Sequence, residues 1–87
     1  MNLTEKISRQ DFRVLCHIIR NGDVTAKDLM ERGIPRTTAY TSIYKLLELR
    51  LIDKSKHYKS SYTATKSGRK TAVDIYKEIQ STFNFGI

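Results

Sequence analysis

Apolar residues recur at helical spacing in three parts of this chain. Within residues 34–52, IPRTTAYTSIYKLLELRLI, the positions Ala39, Ile43, Leu46 and Leu47 fall three and four apart or adjoin, which predicts one buried side of a helix. Upstream, Phe12, Leu15, Cys16 and Ile19 form a stripe, and Val14 with Ile18 forms a smaller patch nearly opposite. That helix is expected to be covered on two sides, the second by another subunit. Near the end, Ala72, Tyr76, Ile79 and Phe83 are spaced by four, three and four, with Val73 and Ile75 widening the stripe. Between these lies DKSKHYKSSYTA, rich in Ser, Thr and Tyr and alternating in character, which predicts a β-hairpin with strands near 51–56 and 60–64. Tyr62 and Ala64 are expected to face inward beside Ile52. No Asn-Gly or Asp-Gly marks the turn, so the pattern leaves the register open.

Start and stop signals bound the elements. Ser8 with Asp11, and Thr25 with Asp28, each have the spacing of a capping box, with Ile7–Phe12 and Val24–Leu29 as the accompanying apolar staples. Asn21-Gly22 and Gly33 are suitable stops, Pro35 suits a first helical turn, and Thr65 suits a cap. The elements expected are helices at 8–21, 25–32 and 35–50, a hairpin at 51–64 and a long helix at 65–83. This is an α+β fold, mainly α, with a three-helix core. Two helices joined by a tight Gly-containing turn have the helix-turn-helix signature.

The polar positions carry the functional hint. Arg36, Thr37, Tyr40, Thr41 and Tyr44 share the outer side of the third helix, and no carboxylate occurs there before Glu48. A solvated face normally mixes acids with bases. A cation, hydroxyls and rings without acids suit phosphates and base edges. Charge points the same way. The 87 residues carry a net +7, and residues 36–70 hold nine cations against two acids, so the whole excess sits there, while seven cations and seven acids balance elsewhere. Basic asymmetry of this kind implies nucleic acid or an anionic surface.

Other classes find little support. The length is that of one domain, no apolar run approaches a membrane span of ~20 residues, and MNLTEKISRQ lacks a signal-peptide core, so a cytoplasmic, nucleoid-associated protein is expected. Cys16 alone builds neither an intrachain disulfide nor a zinc site, and it reads as a small core residue; His17 and His57 have no metal spacing. Ser42-Ile43-Tyr44-Lys45 and Ser67-Gly68-Arg69-Lys70 match an S-x-x-K pattern without its companion motifs and read as chance. With no phosphate loop and no acid/base pair, no enzyme, cofactor or metal is expected.

Three segments, in order, resemble a known family. DVTAKDLMERGIPRTTAY resembles the "vt..eLa…gis..tv" run, LLELRLI resembles "Le..GLI", and YTATKSGR resembles "y.lT.kGr". Together they resemble the winged helix-turn-helix domain of MarR/PadR-like transcription regulators over roughly residues 7–73, in the minimal style of archaea, their viruses and plasmids. Arg50 stands where the family has Gly and Pro35 where it often has Ser, so the third helix is expected to end without a left-handed residue. Against that family pattern the chain is expected to lack the extra N-terminal helix and an effector domain, which argues against a small-molecule ligand.

The resemblance implies a recognition helix entering the major groove by its N-terminal end. Arg36, Thr37, Tyr40 and Thr41 would meet bases, and Thr38, Tyr44 and Lys45 would hold phosphates. Lys54, Lys56, His57 and Lys59 would place the wing on the backbone or in the minor groove. A homodimer through Ala72, Ile75, Tyr76, Ile79 and Phe83, with Val14 and Ile18, would read an inverted repeat in double-stranded DNA. The alternatives are a DNA-organising or plasmid-partition adaptor of low sequence preference, and a protein-binding winged helix.

Overall fold

The computed structural model describes residues 7–85, with side chains described as far as Ser81. The order is α1 (Arg9–Asn21), β1 (Val24–Thr25), α2 (Ala26–Glu31), α3 (Arg36–Glu48), β2 (Ile52–Lys54), β3 (Ser61–Ala64) and α4 (Lys66–Phe85). The strands form one antiparallel sheet in the order β1-β3-β2. The fold is α+β and mainly helical.

Local chemistry sets the helix boundaries. The Ser8 hydroxyl accepts from the Asp11 amide (3.1 Å) while the Asp11 carboxylate accepts from the Ser8 amide (2.9 Å). Thr25 and Asp28 repeat the arrangement at α2, with the same two distances. Each box satisfies two of the orphan amides of a first turn. Gly22 (φ 84°) and Gly33 (φ 92°) close α1 and α2 in the left-handed region.

At the end of α3 the structure corrects the expectation. Arg50 adopts φ 60° despite its side chain. The Leu51 amide donates to the Leu46 carbonyl (2.9 Å) and the Arg50 amide to the Leu47 carbonyl (3.0 Å), the pair of bonds that ends helices with a left-handed residue. The chain then runs directly into β2. Thr65 locks this junction: its hydroxyl donates to the Arg50 carbonyl (2.8 Å) and accepts from the Gly68 amide (2.9 Å), and its own amide donates to the Leu51 carbonyl (3.0 Å).

The sheet contains a strand that the hydropathy pattern did not single out. Val24 and Thr25, read only as a helix lead-in, pair with Tyr62 and Ser61 of β3. Two residues are too few for an alternating pattern to register. In the hairpin Ile52 faces Ala64, Asp53 faces Thr63 and Lys54 faces Tyr62. The first strand is shorter than expected because the Ser55 hydroxyl accepts from the His57 (3.1 Å) and Tyr58 (3.2 Å) amides and bends the chain out of the ladder. Ser60 at φ 63° completes the turn.

The core gathers Val14, Leu15 and Ile18 of α1, Leu29 of α2, Ala39, Ile43 and Leu46 of α3, Ile52 of β2 and Ile75 of α4. Here Val14 (0% exposed) and Ile18 (1%) depart from the expectation that a partner subunit covers them. Helix α1 packs against α3, β3 and α4 of its own chain, so both of its apolar sides are satisfied internally. Ile75 (2% exposed) is a core residue for the same reason. Cys16, by contrast, is only half-buried rather than a core residue.

Candidate nucleic-acid interface

Helix α3 is held from behind by a buried polar contact. Asp11 (4% exposed) uses one carboxylate oxygen for the Ser8 amide and the other for the buried hydroxyl of Ser42, which donates at 2.7 Å. The Lys45 ammonium lies 3.2 Å from the oxygen that takes the Ser8 amide. Burial pushes the Asp11 carboxyl up, but the Ser8 amide, the Ser42 hydroxyl and the Lys45 ammonium outweigh it and hold the group below its ordinary value. The capping acid of α1 thereby fixes the rotation of α3 about its axis. Lys45 pairs with Asp11 while its side chain remains 41% exposed.

With that inner side fixed, the outer side of α3 presents Arg36, Thr37, Thr41 and Tyr44, all exposed, with Thr38 and Tyr40 half-buried. The Arg36 guanidinium lies over the Tyr40 ring at 5.8 Å from its centroid, and the Tyr40 and Tyr44 centroids are 6.1 Å apart with the rings tilted by 31°. Successive four-residue steps thus build one ridge of cation, ring and ring along the helix. Tyr44 stands 63% exposed at its far end. The Thr41 hydroxyl donates back to the Thr37 carbonyl at 2.8 Å, leaving its lone pairs outward. At the front of α3, Pro35 occupies the cap and supplies no side-chain acceptor, so the first amides stay open to an external anion.

The hairpin stands beside this ridge. Lys54, Lys56, His57 and Lys59 are all exposed, as expected from the sequence. A groove of about 710 Å³ separates the hairpin from α2 and α3; Lys27, Tyr40, Lys54, Tyr58, Lys59 and Tyr62 are among the residues lining it. Burial, then the neighbouring Tyr44 and Tyr40 phenols, pushes the Tyr62 phenol above its ordinary value. Tyr58, 63% exposed at the hairpin tip, and Lys27 were not among the expected site residues. The signal for Tyr58 was its place in the lysine-rich tip, whereas nothing local links Lys27 to the hairpin.

The remaining expected residues separate by place. Tyr76 (56% exposed) and Ile79 (38%) stand on the outer side of α4 together with Val73 (52%), and Ala72 is half-buried. The side chain of Phe83 lies outside the described residues. Among those described, no group of three His, Cys, Asp or Glu is placed to hold a metal ion, and no helix is long and apolar enough to cross a membrane.

No family model matches the chain, and no curated protein sequence gives a significant match. Among solved structures, the fold is similar to the activation domain of the phage T4 transcription factor MotA, with a TM-score of 0.68 over 95% of this chain and 94% of that chain at 14% identity. At that identity the likeness is one of fold.

Proposed function

We propose that this chain is a double-stranded DNA-binding transcription regulator of winged helix-turn-helix type, with α3 as recognition helix and the β2–β3 hairpin as wing. The observation that carries the reading is the acid-free Arg36–Tyr40–Tyr44 ridge, which adjoins the lysine-lined groove of the hairpin. Arg36, held against Tyr40, is the donor best suited to a guanine edge, and Thr37 and Thr41 reach neighbouring bases. The open amides at the front of α3 and the exposed Lys54, Lys56, His57 and Lys59 neutralise phosphates on either side. The similarity in fold to a domain of a phage transcription factor supports a role in transcription. The protein acts as a homodimer through the exposed Tyr76, Ile79 and Val73 of α4, without the buried Val14, Ile18 and Ile75.

Fluorescence anisotropy on labelled duplexes tests this, comparing the sequence upstream of the protein's own gene with its scramble across a salt series. Tighter binding to the native duplex that persists as salt rises is expected. Equal binding to both, falling together with salt, would favour a DNA-organising protein. No binding at low salt would remove the recognition role from α3.

A further inference from the structure

The cations outside α3 and the hairpin are balanced in number by acids, but not in place. Arg9, Arg13 and Arg20 share one side of α1 and, with Arg32 beyond the end of α2, border a groove of about 540 Å³. Phe12, Cys16 and Ile34 line its apolar part. All four guanidinium groups belong to exposed residues, and among the described residues none of them is in an ion pair. The acid within α1, Asp11, is turned inward to Ser42 and Lys45. Acids gather at one end, where Asp23, Asp28 and Glu31 line an adjoining hollow with Arg32 and His17. The Arg9–Arg13 end has no such neighbour among the residues lining either hollow.

We propose that this groove is a second binding surface, which docks an acidic amphipathic segment of a partner protein. Clustered like charges without partners are unfavourable unless a partner of opposite charge meets them. Guanidinium groups match carboxylates in paired hydrogen bonds, and arginine beside an aromatic side chain is the composition that dominates the energetics of protein–protein contacts. Phosphates on a duplex would use the four cations, but they would leave the half-buried Phe12 and Cys16 without an apolar partner. A helical segment with an apolar side chain flanked by carboxylates satisfies both parts of the groove. No residue of the groove belongs to α3 or the hairpin, so the partner and DNA bind together. The surface thus goes beyond the DNA-binding reading, giving the chain the means to recruit a second protein to a DNA site.

The experiment uses the full chain and a labelled synthetic helical peptide in which leucines at three- and four-residue spacing are flanked by glutamates. Anisotropy gives its affinity, and amide shifts in ¹⁵N-labelled protein locate it. Binding with shifts centred on Phe12, Cys16 and Ile34 is expected. The double variant R13E/R20E is expected to bind on the order of ten-fold more weakly or worse, whereas the charge-matched K66E/K70E keeps near wild-type affinity. Circular dichroism checks that both variants fold. The proposal is overturned by equal loss in both variants, by equal affinity for a peptide with serines in place of leucines, or by shifts centred on α3. It is also overturned by no binding, or by a DNA duplex shifting the groove amides in the peptide's place.

Discussion

A Cβ added to Gly68 would run into the carbonyl oxygen of Leu51, because α4 begins against the backbone that links α3 to β2. Its neighbour in this junction, Arg50, carries the opposite problem, a side chain in a left-handed conformation at φ 60°. The two positions therefore respond oppositely. Gly68→Ala is expected to lower stability by about 1–3 kcal/mol, since backbone must move, while Arg50→Gly is expected to raise it by up to about 1 kcal/mol. Urea denaturation of both variants measures this, and a stable G68A would show that the start of α4 shifts freely. Asp11 gives a pH dependence. Its folded value lies below the ordinary 3.8, so its stabilisation is complete above about pH 4 and is lost as pH falls through the folded value. Asp28, held down first by the Thr25 amide, contributes with the same sign. Asp11→Asn is expected to flatten the acid limb of the stability curve without abolishing it. An unchanged limb would place the linkage elsewhere.

At the scale of elements, what could be read from the sequence was what neighbours in sequence decide. Both capping boxes, the Thr65 cap and the buried side of α3 followed from residues within four positions of each other. What stayed hidden depends on contacts between distant segments. The Asp11–Ser42 bond spans 31 positions, so a residue legible as a cap gave no sign that it also fixes α3 and engages Lys45. The burial of Val14 and Ile18 likewise depends on where α3, β3 and α4 lie around α1. The arginine groove was masked differently, because a balanced count of charges says nothing about which helix face each one occupies. The proposed division of labour between α3 and the hairpin gives a further prediction. Arg36→Ala is expected to cost about 1–3 kcal/mol on the preferred duplex and relax specificity at one base, whereas Lys59→Ala weakens binding to all sequences and lowers the salt slope by about one. Anisotropy across duplex variants separates the two, and a uniform loss for R36A would make it a phosphate contact.

For the whole molecule, the arrangement of charge and apolar surface decides how many copies act together. On the proposed reading one chain presents one recognition ridge, and a single helix end reads only a few base pairs. Withdrawal of Val14, Ile18 and Ile75 into the core leaves Val73, Tyr76 and Ile79 as the exposed apolar side of α4. A two-fold contact along that side serves an inverted repeat if it sets two α3 helices about 34 Å apart, one turn of the duplex. Ile79→Asp is expected to give monomers in sedimentation velocity. Because Ile79 also borders a small hollow with Ile7, Phe12 and Ile75, that variant is paired with Tyr76→Glu at a more exposed position, which perturbs the contact without reaching the core. If both variants fold and sediment as monomers, each should still bind a half-site duplex weakly while losing the steep concentration dependence on the full inverted repeat. A wild-type chain that is itself monomeric on DNA would leave α4 a packing helix and make the ridge of α3 act alone.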